Sequence, residues 1–224
     1  MTYGWRRGTG WILAGVLVAS LGVTPSAVAV EGDSVRADIT TMRPDVKFFS
    51  DFSYSTVTLS GDTPGLVVLQ RKVSSFVDSM VNEWLKPSKK TRKYLKRVQP
   101  ASYEQKARVS SDCRRGYFCL SQGSSFVHPQ IAGSITDLAA RAWHTSSGRR
   151  AKLQEFVSPS DLSAFTARVK SAIKRQDCFY GFAIDLPASY ESYPNWVPVD
   201  GGIELWFPEY QFGCQYMNFT VPWQ

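Results

Sequence analysis

The four cysteines of the chain are the residues whose chemistry is easiest to infer. They are Cys113, Cys119, Cys178 and Cys214. An even number of cysteines in an exported protein is typical of disulfides, and four cysteines allow three pairings. We favour Cys113–Cys119 with Cys178–Cys214, because the first two lie close in sequence and the other two flank one β-rich block. A metal site is not expected, since the sequence has no Cys-x-x-Cys and its two histidines are not at zinc-ligand spacing.

Few groups in the sequence could catalyse a reaction. His128 and His144 are the only histidines, and neither lies in a pattern that completes a catalytic triad. The sequence contains no nucleophile elbow, no zinc-protease motif and no phosphate-binding loop. We therefore predict a protein that is not an enzyme, with no catalytic residues and no cofactor.

Glu204 and Glu209 are the best candidates for a pair of catalytic carboxylates, which a glycosidase places around one bond. However, Glu204 alternates with Ile203 and Leu205, a pattern typical of the solvent-facing side of a strand. A cell-wall hydrolase that uses these two carboxylates is kept as the alternative function.

A basic run is the strongest charge feature of the chain. Seven positive residues fall within twelve positions, with no acid between them: Lys86, Lys89, Lys90, Arg92, Lys93, Lys96 and Arg97. One interpretation is a solvated loop or helix end, because surface charge runs are common. The other is a contact surface for anionic wall polymers or lipid headgroups. Nucleic acid is not an expected partner, because the chain shows no recognisable nucleic-acid-binding module.

Aromatic residues are concentrated near the C-terminus, where ten fall between Tyr190 and Trp223. Half or more of them must belong to the core, and the others could stack on sugar rings or anchor a protein partner. Trp206 and Phe207 are adjacent, so in a strand their side chains point to opposite faces. We take Trp206 and Tyr210 as the candidates for a partner contact.

The N-terminus has the layout of a secretory signal peptide. Arg6 and Arg7 precede an apolar run, which is followed by Pro25 and the small-residue site Ala27-Val28-Ala29. The strongly apolar core is shorter than the roughly 20 residues of a spanning helix, although a retained anchor is the alternative. Cleavage of residues 1–29 would lower the formal charge from +7 to +5, because both arginines are lost. We therefore expect a secreted, extracellular protein with no membrane span after cleavage.

The mature residues 30–224 are long enough for one core and contain no linker, so we predict a single domain. Apolar residues at helical spacing from Leu69 to Trp84 predict an amphipathic helix, with Thr63 as its cap and Pro64 at its first position. A second helix should follow the capping-box sequence Ser158-Pro159-Ser160-Asp161.

Alternating and β-branched patterns predict the strands. These cover residues 46–49, 54–59, 179–184 and 217–221, with a hairpin of 196–199 and 203–207 around Asp200-Gly201-Gly202. Residues 99–133 should form strands around the Cys113–Cys119 loop. Gly148 suits a hairpin from residue 135 to 157, whereas the alanines favour a helix over 134–143. We prefer the hairpin mainly because this segment resembles a hairpin of a known family.

Several of these segments together resemble a known extracellular domain. They are Thr145 to Val157, Gly202 to Gly213 (GIELWFPEYQFG) and Val221-Pro222-Trp223, with Tyr54 to Trp84 similar to the N-terminal half. The domain is shared by the ectodomain of RsiV-type anti-sigma factors and by the secreted immunogenic antigen family of mycobacteria. It divides the mature chain into a strand–helix half, 30–110, and an RsiV-like half, 111–224.

The resemblance implies an α+β fold, in which two amphipathic helices pack on an antiparallel sheet. It also implies an actinobacterial secreted protein without catalytic activity, which we expect to be a monomer that binds an unknown protein or envelope polymer. Because the RsiV-type domain binds lysozyme, a lysozyme-binding sensor or inhibitor is a further alternative.

Overall fold

Two sheets make up most of the computed structural model, which describes residues 26–29, 35–130, 135–179, 181, 183–208, 211–212, 214 and 217–223. The six-stranded sheet contains, in spatial order, β1 (Ser26–Ala29), β2 (Val35–Met42), β3 (Phe49–Gly61), β4 (Ala101–Val109), β5 (Tyr117–Val127) and β6 (Ile135–His144). The three-stranded sheet contains β7 (Trp196–Val199), β8 (Gly202–Phe207) and β9 (Met217–Pro222). All pairings are antiparallel except β3–β4.

The parallel pair β3–β4 requires a crossover connection, which two helices provide. They are α1 (Leu66–Leu85) and α2 (Lys89–Val98). The apolar stripe of α1 is buried as its spacing predicts, with Leu69, Val73 and Phe76 almost inaccessible. The third helix, α3 (Leu162–Lys174), buries Phe165, Val169 and Ile173 against the smaller sheet. The α+β class is thus confirmed, although the second sheet and helix α2 were not expected.

The predicted start of the first helix is wrong by two residues, whereas the second helix begins directly after the predicted start sequence. Helix α1 begins at Leu66 with Gly65 as its cap, because the hydroxyl of Thr63 donates to the carbonyl of Thr145 at 2.8 Å instead of capping the helix. Helix α3 begins at Leu162, and Asp161 makes no side-chain cap. Ser158 accepts from the backbone N–H of Asp161 at 3.3 Å, so it closes the turn before the helix.

Three of the expected strands also differ from the structure. The first strand after residue 46 begins only at Phe49, because Phe48 adopts a positive φ of 80°. Residues 135–144 form a strand, as preferred over a helix, but the returning arm makes one bridge, Arg150 with Trp143, before Leu153–Glu155 form a 3-10 turn. The described residues between 179 and 184 form no strand, since Gly181 has a φ of 81°.

The predicted signal peptide falls largely outside the described residues. Its last four positions form β1, which pairs with β2 at the edge of the larger sheet. Cleavage after Ala29 would remove β1 and leave β2 as the edge strand. Within the described part of the chain, no helix is both long and apolar enough to cross a membrane.

Both disulfides are formed, between Cys113 and Cys119 and between Cys178 and Cys214. This is the pairing favoured from the sequence. The first disulfide joins the β4–β5 connection to β5, and the second joins the segment after α3 to the segment before β9. Two disulfides are compatible with a domain that folds in an oxidising, extracellular environment.

Buried glutamines replace part of the hydrogen-bond ladder between β3 and β4. Backbone pairing between the two strands ends at Ser53. Beyond it, the backbone N–H of Ser55 donates to the Gln105 side-chain oxygen at 2.8 Å, and Gln105 donates to Gln122 at 2.9 Å. Gln122 in turn donates to the carbonyl of Phe76 in α1. Both glutamines are 1% exposed, so this chain links three strands and a helix inside the core.

We expect Gln105→Leu to lower the free energy of unfolding by about 2 kcal/mol, because it leaves the Ser55 N–H and the Gln122 side-chain oxygen buried without partners. Urea unfolding measures the effect. The exposed Gln154→Leu is the control and should change stability by less than about 0.5 kcal/mol. Equal stability of the two variants would contradict the proposed importance of the buried chain.

Candidate functional site

The basic run folds into a helix that presents one charged face. Lys89, Arg92, Lys93 and Lys96 are spaced i, i+3, i+4 and i+7 in α2, so they form one stripe, and together they line an open groove of about 520 Å³. We call these four residues the basic face. All four side chains are exposed, as are the flanking Lys86, Lys90 and Arg97. Within the described residues, none of the seven forms an ion pair with a carboxylate.

The opposite side of α2 fixes the basic face in position. Leu95 is fully buried and Val98 is 5% exposed. The hydroxyl of Tyr94 lies 3.2 Å from Nε2 of His128, whose Nδ1 accepts from the backbone N–H of Gln130. His128 is 5% exposed, so it is a buried structural residue that anchors the helix to the end of β5.

An acid stabilises the start of α2 without neutralising the basic face. Glu83, in the last turn of α1, accepts from the Thr91 hydroxyl and from the backbone N–H of Ser88. These hydrogen bonds, with that of Thr91 the strongest, hold the pKa of Glu83 below its ordinary value. Ser88 caps the helix by accepting from the backbone N–H of Thr91 at 3.1 Å. The helix therefore begins at a defined residue, and its cations remain available.

A polar cleft lies where the smaller sheet meets the connection between β4 and β5. Its volume is about 220 Å³, and six of its lining residues carry charged, amide or aromatic groups: Arg108, Asp112, Asp200, Glu204, Trp206 and Asn218. Of the residues proposed from the sequence, the structure thus brings Glu204 and Trp206 together. Tyr210 and Glu209 lie outside the described residues, so a catalytic pair of Glu204 and Glu209 stays untested.

The strand pattern of β8 places these two side chains at the cleft. Ile203, Leu205 and Phe207 are buried in the core, whereas Glu204 and Trp206 lie on the other face. This confirms that Trp206 and Phe207 point to opposite faces. Asn218 of β9 lies opposite Trp206 and donates from its amide to Glu204 at 3.1 Å. The indole N–H of Trp206 is buried and has no acceptor among the described residues.

The part of the β4–β5 connection before Cys113 forms the other wall of the cleft, with Ser110, Ser111 and Asp112. The backbone N–H of Arg114 donates to the carbonyl of Pro198 at 3.0 Å, and that of Asp200 donates to the carbonyl of Asp112 at 3.1 Å. These backbone bonds attach the connection to the end of β7, and the disulfide attaches it to β5. The wall that carries Asp112 is therefore rigid relative to the smaller sheet.

A second polar cluster surrounds His144, which the sequence did not distinguish from a surface histidine. Glu155 lies 2.7 Å from His144 Nε2 and 2.9 Å from Arg149 Nη1, and it accepts from the backbone N–H of Lys152 at 3.0 Å. Burial opposes ionisation of Glu155, but the Arg149 and Lys152 hydrogen bonds and the neighbouring charges hold its pKa below the ordinary value. The cluster ties the turn after β6 to the 3-10 turn, which is a structural role.

Sequence reasoning missed Arg108, Asp112, Asp200 and Asn218. They lie on a strand end, two loops and another strand, so no local spacing connects them. Only the docking of the smaller sheet on the β4–β5 connection brings them together. A sequence signal existed solely for Asp200, which precedes Gly201-Gly202 in a predicted turn.

No family model matches the chain, and no curated protein matches it. Two crystal structures of DUF3298 family proteins are similar to it in fold. One is from Pseudomonas aeruginosa PAO1, with 15% sequence identity, a TM-score of 0.55 and coverage of 91% of each chain. The other is from Bacteroides fragilis NCTC 9343, with 9% identity, a TM-score of 0.56 and the same coverage of both chains. The chain therefore shares the fold of DUF3298 family proteins, a domain of unknown function.

Proposed function

We propose that this chain is a secreted, non-enzymatic binding protein that associates with the cell envelope through the basic face of α2. The observation that carries the proposal is the arrangement of four exposed cations on one side of an anchored helix, with no acid paired to them among the described residues. The resemblance to secreted mycobacterial antigens and to the RsiV ectodomain supports a binding role outside the cytoplasm. The two disulfides support the same location.

The four cations of the basic face favour binding to a surface that carries closely spaced phosphates. A cation near an anionic membrane contributes about 1 kcal/mol to binding, so four contribute at most about 4 kcal/mol. Binding of this strength is reversible and weakens with salt, because the Debye length falls to about 8 Å at physiological ionic strength. The helix is already folded and anchored, so little ordering entropy opposes the contact. Anionic lipid headgroups and phosphate-bearing wall polymers both offer this chemistry.

We expect neutralisation of the basic face to weaken binding by at least about tenfold, which corresponds to about 1.4 kcal/mol. The variant is Lys89→Gln, Arg92→Gln, Lys93→Gln and Lys96→Gln in the mature chain. Co-sedimentation with vesicles of phosphatidylglycerol and phosphatidylcholine measures the effect. Wild-type binding should also fall as ionic strength is raised from about 0.01 M to about 0.15 M.

A matched control removes the same charge from other exposed positions: Arg36→Gln, Arg115→Gln, Arg150→Gln and Lys174→Gln. If the arrangement of charges on α2 matters, this control variant should retain most of the binding. A loss of binding equal to that of the basic-face variant would show that only net charge matters. Competition with soluble poly(glycerol phosphate) distinguishes a wall polymer from a lipid surface. Absence of wild-type binding to both probes, or release of soluble sugar from purified cell wall by the mature chain, would contradict the proposal.

A further inference from the structure

We propose that the polar cleft between the β4–β5 connection and the β8–β9 face binds one unit of a neutral or cationic saccharide, preferably an amino sugar. The cleft shares no residue with the basic face, so either site can fail without the other. At about 220 Å³ it is smaller than pockets for drug-sized ligands, which begin near about 300 Å³, and this size suits a single polar ring.

An aromatic ring beside hydrogen-bonding groups is the first argument for a saccharide. Trp206 lines the cleft and is partly exposed, although the alternate residues of the same strand are buried in the core. Its ring can contact the C–H face of a sugar, while Glu204 and Asn218 beside it offer a carboxylate and an amide to sugar hydroxyls. A buried indole N–H with no acceptor among the described residues is also unusual enough to need a functional or structural explanation.

The other aromatic candidate for such a contact is already covered. Trp223 stacks on Phe156, with ring centroids 5.2 Å apart, and the guanidinium of Arg114 lies 4.9 Å from its ring. Trp223 therefore already has an aromatic and a guanidinium partner within the protein. Within the described residues, Trp206 has no such ring or guanidinium contact, which makes it the better platform.

The charge of the cleft decides which saccharide it prefers. Asp112, Asp200 and Glu204 outnumber the one guanidinium, that of Arg108. Carboxylates accept hydrogen bonds from hydroxyl and ammonium groups and repel another carboxylate. An amino sugar should therefore bind more tightly than its N-acetylated form, and a uronic acid should bind least.

The rigid wall of the cleft adds to the argument. Two backbone hydrogen bonds, Arg114 to Pro198 and Asp200 to Asp112, hold the β4–β5 connection to the end of β7, so Asp112 and Asp200 stay in place without a ligand. Groups that are already in position lose little entropy on binding, and even a small site can then hold a ligand.

The test is a titration of the mature, ¹⁵N-labelled protein with trisaccharides of glucosamine, N-acetylglucosamine and galacturonic acid, followed by NMR. Trp206→Phe identifies the indole N–H signal of Trp206. We expect that signal to shift, with roughly millimolar affinity for the glucosamine trimer and weaker binding of the other two in the order given. Trp206→Ala should weaken binding about fivefold or more.

Two further variants keep the proposal testable if Trp206→Ala does not fold. Glu204→Gln preserves the shape and should reduce the preference for glucosamine over N-acetylglucosamine. Trp223→Ala, outside the cleft, should leave the affinity unchanged. The proposal is overturned if none of the three trisaccharides shifts the Trp206 signal, if galacturonic acid binds best, or if Trp223→Ala rather than the cleft variants abolishes binding.

Discussion

Gly148→Ala is expected to destabilise the domain by about 4 kcal/mol, because the new Cβ would meet the backbone of α1. Gly148 has a φ of 65°, and a Cβ built there lies 2.7 Å from the backbone nitrogen of Leu69 and 2.9 Å from Cγ1 of Val68. The first of these atoms belongs to a buried helical backbone, which cannot move like the end of a flexible side chain. Backbone strain and overpacking therefore both lower the stability of the Gly148→Ala variant.

A matched glycine separates these two contributions. Gly201 also has a positive φ, of 87°, but a Cβ built there meets nothing within 4 Å. Gly201→Ala should therefore cost only about 1 kcal/mol, the backbone contribution alone. Urea unfolding of both variants measures the difference. If the two substitutions lower the free energy of unfolding by the same amount, the close approach of the turn to α1 does not limit the size of the residue at position 148.

The turn and the helix start each have a glycine where their backbones meet, Gly148 in the turn and Gly65 at the start of α1. A Cβ on Gly65, the cap of α1, would lie 2.6 Å from the carbonyl oxygen of Thr145. The start of α1 and the turn after β6 thus pack backbone against backbone. The Thr63–Thr145 hydrogen bond lies at the same junction, so Thr63 serves this contact instead of capping the helix.

Local patterns predicted the parts of the fold that depend on local spacing. The apolar stripes of α1 and α3, the β7–β8 hairpin and β9 follow from side-chain periodicity and turn residues, and the structure has them. Gly148 was expected at a turn because of its conformational freedom. Its contact with Leu69 could not be predicted, since it depends on how residues about 80 positions apart meet.

Tertiary contacts overrode local preference elsewhere. The resemblance implied an antiparallel sheet, but α1 and α2 carry the chain across so that β3 and β4 pair in parallel. The returning arm after Gly148 was expected to complete a hairpin, yet Leu153 and Val157 are buried in the core of the smaller sheet, so the chain leaves β6 after one bridge. A single sequence contains no signal for either outcome.

The candidate sites were likewise predictable from the sequence only in part. The basic run was visible as charge, but its interpretation as a helix face required the burial of Leu95 and Val98 on the other side. Glu204 was proposed as a carboxylate and Trp206 as a contact residue, and the structure places both on the same face of β8. Arg108 and Asp112 were not proposed, because their part in the cleft arises only when the smaller sheet packs against the β4–β5 connection.

Loss of the Cys178–Cys214 disulfide should cost about 4 kcal/mol, twice the cost of losing Cys113–Cys119. The two cysteines are 36 positions apart, against 6 for the other pair, and a disulfide that closes a longer loop removes more entropy from the unfolded chain. For these loop lengths, the chain-entropy relation gives about 4 and about 2 kcal/mol. The variants are Cys178→Ser/Cys214→Ser and Cys113→Ser/Cys119→Ser, compared by urea unfolding of the oxidised proteins.

The two disulfides should also differ in their effect on binding. The short one ties Cys113, the neighbour of the cleft residue Asp112, to β5, so Cys113→Ser/Cys119→Ser should weaken saccharide binding although it costs less stability. The long one lies outside the described cleft, so its variant should bind normally under conditions in which it is folded. Equal losses of stability would show that loop length does not determine how much each disulfide stabilises the protein. A normal affinity in the Cys113→Ser/Cys119→Ser variant would show that the backbone bonds to β7 hold the cleft wall without the cross-link.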